Sequence, residues 1–319
     1  MSVLVTGGAG FIGSHLIERL LEVTDETIVC LDNFNDFYDP RWKRENLRRV
    51  LDHDRFVLIE GDIRDTDLLR RSFDEHGVTD VIHLAAHAGV RPSIRRPLPY
   101  VDVNVAGTVT LLEVAREFRC NRFIAASSST VYGVDAETPF REDRLGSVPA
   151  SPYGVTKRAT EHFCRLYRQL YGMPTLSLRY FSVYGPRLRP DLAMYIFASA
   201  IRDDRPLPLF GGGIAKRDFT YIDDIIDATI AAWRSDRVGT EVNLGNHRPV
   251  EIRYVVRLLE RALGKKARVE HLPEQIGEMP VTYADISRAR DWFGYEPTVS
   301  IEEGVRRFAE WFRRERWGK

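Results

Sequence analysis

A glycine-rich turn between a short apolar strand and an amphipathic helix lies at the start of the chain. The run Val3-Leu4-Val5 is followed by Thr6-Gly7-Gly8-Ala9-Gly10-Phe11-Ile12-Gly13, and then by apolar residues at helical spacing. Glycines in this context let the backbone approach a pyrophosphate, and the positive end of the helix attracts its charge. The spacing Gly7-x-x-Gly10-x-x-Gly13 differs from the usual G-x-G-x-x-G, but the strand–turn–helix context predicts a dinucleotide site.

A carboxylate ends the second predicted strand. This strand runs from Thr27 to Leu31, and Asp32 follows it, nineteen residues after Gly13. A carboxylate at this place accepts hydrogen bonds from both hydroxyls of an adenosine ribose and repels a 2′-phosphate, so NAD is favoured over NADP. The alternative is a tight structural turn followed by an ordinary helix-capping Asp.

Strands and helices alternate through the first part of the chain. Further apolar strands are predicted at 56–62, 81–86, 122–126 and 175–181, with amphipathic helices between them. Such alternation is typical of an α/β fold with a doubly wound parallel sheet of the Rossmann type. Ligands of these sheets bind at the carboxyl ends of the strands. The residues predicted to meet there are Gly7, Asp32, Asp62, Ala85, Ser128 and Ser182.

The rhythm of strands and helices changes after Ser182, which indicates a second, smaller α/β region. We expect an NAD-binding domain of residues 1–181 and 219–246 and a substrate domain of residues 182–218 and 247–319. The sequence contains no repeat, low-complexity tract or flexible linker between the two. They are therefore expected to pack tightly around one cleft.

Ser151-Pro152-Tyr153-Gly154-Val155-Thr156-Lys157 combines a helix start with two reactive side chains. Ser151 is a suitable N-cap and Pro152 a suitable first helical residue. Tyr153 and Lys157 then lie on one face of the helix, where an ammonium lowers the pKa of a neighbouring phenol. Tyr153 is thus a candidate acid and base near neutral pH. The pair alone is weak evidence, because chance also produces this spacing.

Composition excludes several classes of protein. Lys+Arg and Asp+Glu both number 46, and so no charge imbalance points to nucleic acid or a membrane surface. No apolar run approaches the roughly 18 residues of a membrane span. A strand follows Met1 almost at once, which leaves no room for a signal peptide, so we expect a cytoplasmic protein.

Cysteines and histidines give no metal or disulfide pattern. Cys30, Cys120 and Cys164 are odd in number and show no C-x-x-C spacing, which fits a reducing compartment. His83 and His87 are four apart across a strand end, where the spacing does not converge on an ion. We interpret both histidines as structural and predict no metal.

Together these motifs resemble the extended short-chain dehydrogenase/reductase superfamily, and within it the NAD-dependent sugar-nucleotide epimerase/dehydratase family. The resemblance spans essentially the whole chain. It includes TGGAGFIG, SSSTVYG, YGVTK, RDFTYIDD and TYADISRAR. DNFNDFYDP, HLAAHAGVRPS, YGPRLRPDLAM and GYEPTVSIEEG further resemble the UDP-glucuronate 4-epimerases of that family.

The resemblance implies a mechanism with tightly bound, recycled NAD. Tyr153 as phenolate would take the proton of the sugar 4-hydroxyl while the C4 hydride passes to NAD, and Lys157 would hold the phenolate charge and the nicotinamide ribose. Ser128, with Ser129 or Thr130 beside it, would hydrogen-bond the 4-oxygen. The 4-keto sugar would then turn over and take hydride on its opposite face, interconverting UDP-glucuronate and UDP-galacturonate.

The same resemblance supplies the remaining site predictions. Arg217, Phe219 and Glu278 are expected to contact the nucleotide, with a surface salt bridge as the alternative for Arg217. The predicted cofactor-binding residues are Gly7, Gly10, Phe11, Ile12, Gly13, Asp32, Asn33, Asp62, Ile63, Leu84, Ala85, Ala86, Asn104, Tyr153, Lys157 and Tyr180.

Two features bear on the choice of reaction and sugar. Decarboxylases and dehydratases of the family usually carry an acid just before the VYG-like tripeptide, whereas Ser128-Ser129-Thr130 is neutral. Arg189 is the candidate partner of a sugar carboxylate, because arginine binds carboxylates with two hydrogen bonds. Arg187 and Arg91 are alternatives, and so is a merely solvated Arg189. Ser182 stands where glucuronate epimerases commonly have Thr, which leaves the pocket shape open.

Several functions therefore stay open. The leading hypothesis is a UDP-glucuronate 4-epimerase. The alternatives are a UDP-glucose or UDP-N-acetylglucosamine 4-epimerase, a UDP-glucuronate decarboxylase and a non-catalytic NAD-binding scaffold. The family also suggests a homodimer packed through helices that carry Leu112, Phe163, Leu166 and Leu170, although the sequence does not separate such an interface from core.

Overall fold

The computed structural model describes residues 1–274 and 279–318, and strands recur along the whole of that part of the chain. In chain order they are β1 (Ser2–Thr6), β2 (Thr27–Asp32), β3 (Phe56–Glu60), β4 (Val78–His83), β5 (Arg122–Ser128), β6 (Thr175–Tyr180), β7 (Val183–Tyr184), β8 (Pro206–Phe210), β9 (Lys216–Arg217), β10 (Thr220–Tyr221), β11 (Glu241–Leu244), β12 (Val250–Glu251), β13 (Arg268–Leu272) and β14 (Val281–Thr282).

Helices connect most of these strands. In chain order they are α1 (Phe11–Val23), α2 (Pro40–Leu47), α3 (Thr66–His76), α4 (Val90–Arg95), α5 (Leu98–Tyr100), α6 (Thr108–Glu117), α7 (Pro152–Tyr171), α8 (Ala193–Arg202), α9 (Ile222–Arg234), α10 (Ile252–Leu263), α11 (Ser287–Phe293) and α12 (Ile301–Arg316). Within the described ranges, none of these helices is both long and apolar enough to cross a membrane.

The central sheet has seven strands in the order β3-β2-β1-β4-β5-β6-β11. Every neighbouring pair in it is parallel. The first six strands follow the order of a doubly wound dinucleotide-binding sheet, in which the direction of winding reverses between β1 and β4. The predicted fold class is confirmed, and β11 extends the sheet by one strand.

Both faces of the sheet are buried, which explains the continuous apolar runs in its strands. Val3 and Val5 of β1 point into the core that also contains Leu16 of α1. Leu4, between them, points into the opposite core together with Leu111 of α6. The two helical layers hold the strand ends in place, and the carboxyl ends lie along one edge.

In the described residues, the second region is built from short strands and four helices, α8, α10, α11 and α12. β8 pairs in parallel with β13, and β9 lies between β12 and β14. Helix α10 packs against α8 and α12. Between these pieces the chain returns to the central sheet through α9, which packs on α1, and β11. Segments 219–246 and 1–181 thus share one sheet, although the predicted division into domains stays a prediction.

The helix predicted from Asn104 begins differently. Residues Val101–Gly107 form a π-helical segment, and regular α-helix starts at Thr108. The Asn104 side chain accepts a hydrogen bond from the backbone N–H of His87 at 2.7 Å and donates to the His87 carbonyl oxygen and to Thr156. Widened helical turns of this kind are frequent at functional sites. Here the turn braces the loop after β4.

Candidate active site

A cavity of about 450 Å³ lies at the carboxyl ends of the central strands. It is lined by residues that follow six strands of the sheet, β1 to β6. Of the predicted residues, those in its wall are Gly7, Gly10, Phe11, Ile12, Asp32, Asn33, Asp62, Ile63, Leu84, Ala85, Ala86, Ser128, Ser129, Thr130, Tyr153, Lys157, Tyr180, Ser182 and Arg189. The cavity therefore lies at the edge of the sheet where the strand ends predicted a ligand site.

The glycine-rich turn forms a close-fitting cradle at one end of the cavity. Gly7 has φ +68°, and a Cβ there would lie 2.8 Å from the backbone of Ala85. A Cβ on Gly13 would lie 2.4 Å from the carbonyl oxygen of Gly7. Gly7 thus lets two loops meet at the cavity, whereas Gly13 lies behind the wall and lets α1 pack on the turn. A cradle without side chains fits a pyrophosphate at the start of α1.

Asp32 is buried in the wall with its carboxylate held in place. Its oxygens accept hydrogen bonds from the backbone N–H groups of Ala9 (3.1 Å) and Phe34 (2.9 Å). The buried ammonium of Lys43 lies 3.7 Å from the same carboxylate. These contacts fix the position of the carboxylate, which suits a ribose-binding acceptor. The residues present therefore fit the adenosine half of NAD.

Asp62 lies beside this group. Its carboxylate accepts hydrogen bonds from Arg64 and from the side-chain amide of Asn33 at 2.9 Å. The hydrogen bonds with Arg64 are the largest cause that lowers the pKa of Asp62 to about 2. An ionised acceptor thus lies in the cavity next to Asp32 throughout the neutral pH range.

Helix α7 begins as predicted. The Ser151 side chain accepts a hydrogen bond from the N–H of Gly154, and Pro152 is the first helical residue. The ammonium of Lys157 is buried and donates to the carbonyl oxygen of Ala126 at 2.7 Å. The hydroxyl of Tyr153 hydrogen-bonds the side chain of Ser128, which also accepts from Thr130 Oγ1 at 3.0 Å. The three groups therefore meet where β5 ends.

The pKa prediction for Tyr153 is wrong for this structure. Burial raises the pKa of Tyr153, and the opposing effects of Arg189 and of the Ser128 hydrogen bond are smaller. The ammonium of Lys157 is directed to Ala126 instead, and burial lowers the pKa of Lys157 to about 8. The spacing in sequence places Tyr153 and Lys157 on one face of α7. The ammonium of Lys157 nevertheless donates its hydrogen bond to Ala126, a partner that this spacing does not predict.

Arg189 extends the site beyond Tyr153. Its guanidinium forms two hydrogen bonds of 3.1 Å with the carboxylate of Asp191 and lies 5.8 Å from the ring of Phe37. Arg189 also favours the ionised form of Tyr153. A guanidinium at this place can bind a carboxylate with two hydrogen bonds, although in this structure both are made with Asp191.

Other predicted substrate residues lie outside the cavity wall. Arg187 pairs with Glu18 of α1 at 2.5 Å, and Arg91 lies 5.4 Å from the ring of Phe210. Arg217 donates to the carbonyl oxygens of Lys216 and Met279. Phe219 lies in the core, where its ring packs on Tyr184. The structure thus gives a direct contact with the cavity only to Arg189 among these candidates.

Asn104 and Glu278 are predicted to contact the cofactor and the nucleotide, respectively. Asn104 is not among the lining residues and braces the wall through His87, and its predicted contact with the cofactor stays a prediction. Glu278 lies outside the described residues. Its predicted contact with the nucleotide stays a prediction.

Several residues of the wall were not predicted from the sequence. Four belong to the loop after β2 or to α2, and they are Asn35, Phe37, Tyr38 and Lys43. Asn35 accepts a hydrogen bond from Lys43 at 3.2 Å, and so the loop and the helix hold one another. The polar and aromatic composition of this loop was the available signal.

The histidines and cysteines take the places expected of structural residues, with one exception. The ring of His83 is buried between Thr6 Oγ1 (2.7 Å) and Thr108 Oγ1 (2.9 Å), and burial lowers its pKa to about 3. His87 lines the cavity and packs on Tyr100. Cys30, Cys120 and Cys164 are buried and free.

Comparisons with known proteins agree with this architecture. The model of the family described as GDP-mannose 4,6 dehydratase matches residues 4–308. A UDP-glucuronate 4-epimerase of Thermodesulfobacterium geofontis is 41% identical over 97% of this chain and 95% of its own length.

Solved structures are similar over the same extent. The UDP-glucuronic acid 4-epimerase of Bacillus cereus, in complex with UDP-glucuronic acid and NAD, has a TM-score of 0.92 at 39% identity, covering 98% of this chain and 99% of that one. The UDP-glucose 4-epimerase of Thermotoga maritima with UDP-glucose has a TM-score of 0.90 at 32% identity and the same coverage. The chain therefore belongs to the GDP-mannose 4,6 dehydratase family of extended short-chain dehydrogenases/reductases.

Proposed function

We propose that this protein is an NAD-dependent UDP-glucuronate 4-epimerase, which interconverts UDP-glucuronate and UDP-galacturonate. The observation that carries the proposal is one cavity with two functional ends. Asp32 and the Gly7 cradle form one end, and Ser128, Tyr153 and Lys157 form the other. The similarity to epimerases named for UDP-glucuronate supports the choice of sugar.

The cofactor end has the donors and acceptors that NAD requires. Asp32 would accept the adenosine ribose hydroxyls, and the Gly7 turn with the start of α1 would hold the pyrophosphate. Lys157, at the far end of the same cavity, would bind the nicotinamide ribose. When bound, NAD supplies the oxidant for carbon 4 of the sugar, and the protein supplies the proton transfers and the orientation.

Three side chains would act on the sugar. Tyr153 takes the proton of the 4-hydroxyl and later returns it, while Ser128 hydrogen-bonds the 4-oxygen. Because burial raises the pKa of Tyr153, its phenolate must be stabilised during the reaction. Lys157 is the nearby ammonium in the wall that can take this role. A non-catalytic NAD-binding scaffold would have no chemical need for Ser128, Tyr153 and Lys157 together.

The surroundings of the reacting carbon favour epimerisation over decarboxylation. Oxidation at carbon 4 of a glucuronate gives a β-keto acid, which loses CO2 readily. Ser128, Ser129 and Thr130 line the wall as neutral hydroxyls, with no acid among these three. Arg189 would hold the sugar carboxylate in competition with Asp191.

The test is incubation of the purified protein with UDP-glucuronate, UDP-glucose and UDP-N-acetylglucosamine in separate reactions. NMR would identify the sugar products, and CO2 release would be followed in parallel. We expect UDP-galacturonate from UDP-glucuronate. Turnover of UDP-glucose alone would contradict the proposed sugar, and a UDP-pentose as main product would contradict epimerisation.

Assembly and location complete the proposal. We propose a cytoplasmic homodimer packed through α7, whose side chains Leu166, Leu170 and Tyr171 are exposed. Leu112, in contrast, is fully buried in the core and is withdrawn from the predicted interface. Analytical ultracentrifugation of a Leu170→Glu variant would test the dimer, because a charge in an apolar interface opposes association. We also propose that residues 1–181 and 219–246 form the NAD-binding domain and that residues 182–218 and 247–319 form the substrate domain.

A further inference from the structure

A second, larger concavity lies on the outer side of α2. This groove has a volume of about 1050 Å³ and runs between α2 and α8 to the end of α12. Among the residues described, its wall contains six arginines and two carboxylates. The arginines are Arg41, Arg44, Arg48, Arg202, Arg205 and Arg316. A concave surface with this excess of cations attracts anions.

One of these cations is buried with unused hydrogen-bonding capacity. The side chain of Arg316 is 7% exposed, and its Nε atom has no hydrogen-bond partner. Its Nη1 atom donates to Glu45 at 3.1 Å, and its guanidinium lies 4.1 Å from the ring of Trp42. A buried donor without a partner is rare in proteins, and so Arg316 stands out among the cations of the groove.

Arg44 forms an exposed pair with Glu60, and three other arginines of the wall, of which Arg202 is half-buried, pair with aspartates. Arg41 pairs with Asp39, and Arg202 and Arg205 pair with Asp203. Arg48, the residue that directly follows α2, is exposed. Exposed ion pairs are weak, so a ligand with several negative charges can compete for these guanidinium groups. Arginine is well suited to phosphate oxygens because of its planar set of donors.

The wall also has an aromatic part. The rings of Trp42 and Tyr195 are 5.6 Å apart, and Ile196 and Leu51 lie in the same groove. Cations together with aromatic and aliphatic surface are suited to a ligand that has both phosphates and a planar ring system.

The groove is separate from the candidate active site. Helix α2 lies between them: Lys43 faces the cavity beside Asp32, whereas Trp42 and Glu45 face the groove. The two walls share no residue. A ligand in the groove therefore does not need to leave when the active site is filled.

We propose that this groove is a second binding site, which takes a nucleoside polyphosphate. The phosphates would contact Arg316, Arg48 and Arg205, and the base would lie against Trp42. The site goes beyond the proposed epimerase activity and does not depend on it.

Isothermal titration calorimetry with ATP as the probe tests this proposal. The full-length protein would first be saturated with NAD and UDP-glucuronate, so that only sites outside the main cavity remain. Three proteins would be compared: the unmodified chain, an Arg48→Glu/Arg205→Glu variant, and Arg71→Glu on the exposed face of α3 as the matched control. Both groove substitutions lie on the surface, which protects the fold.

We expect one ATP per chain, with binding weakened roughly tenfold or more in the double variant because charged hydrogen bonds are lost. The Arg71→Glu control should bind as the unmodified chain does. Absence of binding at millimolar ATP, or equal weakening in the control, would overturn the proposal. Inorganic triphosphate that binds as tightly as ATP would overturn the assignment to a nucleotide.

Discussion

The ammonium of Lys157 donates a hydrogen bond to the carbonyl oxygen of Ala126 at 2.7 Å, which joins α7 to the end of β5. Ala126 lies two residues before Ser128, the hydrogen-bond partner of Tyr153. Because both contacts involve the same strand end, the helix cannot shift without moving the serine as well. The relative positions of the three proposed reacting groups are thus fixed by the sheet.

Replacement of Lys157 by Met should abolish most of the turnover. The variant keeps an unbranched side chain but loses the charge that would stabilise the Tyr153 phenolate, so we expect kcat to fall by about a hundredfold or more. The rate of UDP-galacturonate formation at neutral pH measures this. Lys266→Met, at an exposed position, is the control and should be fully active. Equal rates in both variants would contradict the role of Lys157.

Asp32→Ala should weaken the retention of NAD. The substitution removes the acceptor of the ribose hydroxyls, and hydrogen bonds to a charged group contribute about 1.5–3 kcal/mol each. NAD dissociation should therefore be at least about tenfold easier. The NAD released on denaturation of the purified protein, measured by chromatography, gives the bound fraction. The exposed Asp36→Asn is the control. Undiminished NAD in Asp32→Ala would place the adenosine elsewhere.

Arg189→Gln should change the preference between sugars. If Arg189 binds the sugar carboxylate, KM for UDP-glucuronate should rise by roughly tenfold or more, because a charged hydrogen-bonding partner is lost. The weaker reaction with UDP-glucose, which has no carboxylate, should change little. Arg187→Gln should leave the ratio of the two KM values unaltered, because Arg187 pairs with Glu18 outside the cavity wall. The opposite pattern would transfer the role to Arg187.

Stability should depend on pH through His83. Burial lowers the pKa of His83 to about 3 from the usual 6.5, so the unfolded chain takes up a proton at mildly acidic pH that the folded chain does not. The free energy of unfolding should therefore decrease as pH falls from 6.5 towards 3. One such group changes stability by up to about 1.4 kcal/mol per pH unit.

Urea unfolding at several pH values checks this contribution. His83→Asn should reduce the slope of the unfolding free energy against pH. Part of the slope should remain, because burial also lowers the pKa of His15 to about 3. His53→Asn, at an exposed position, should keep the full slope. A slope in His83→Asn as steep as in the unmodified chain would show that His83 is protonated in the folded protein.

The parts of the site that the sequence predicted are those set by local structure and strand order. Ser151 caps α7 because its side chain accepts a hydrogen bond from the N–H of Gly154, and Asp32 ends a strand whose place in a parallel sheet is predictable. Such features need only short segments and the rule that ligands bind at carboxyl strand ends.

Features that depend on tertiary contacts were not predictable. Lys43 becomes a wall residue only because α2 packs on α1 and brings the Lys43 ammonium to Asp32. Arg187 and Arg189 are separated by one residue. Arg187 has a strained backbone with φ +63°, and its side chain pairs with Glu18 instead of lining the cavity. The raised pKa of Tyr153 likewise results from burial, which the spacing of Tyr and Lys does not reveal.

The most direct test of the account is the turnover of a Tyr153→Phe variant that still binds NAD. The substitution removes only the hydroxyl, so the fold and the NAD content, checked by circular dichroism and by release on denaturation, should be unchanged. We predict that UDP-galacturonate formation from UDP-glucuronate falls by about a hundredfold or more, because the acid and base is lost. Turnover within about twofold of the unmodified protein, at equal NAD content, would contradict the assignment of Tyr153.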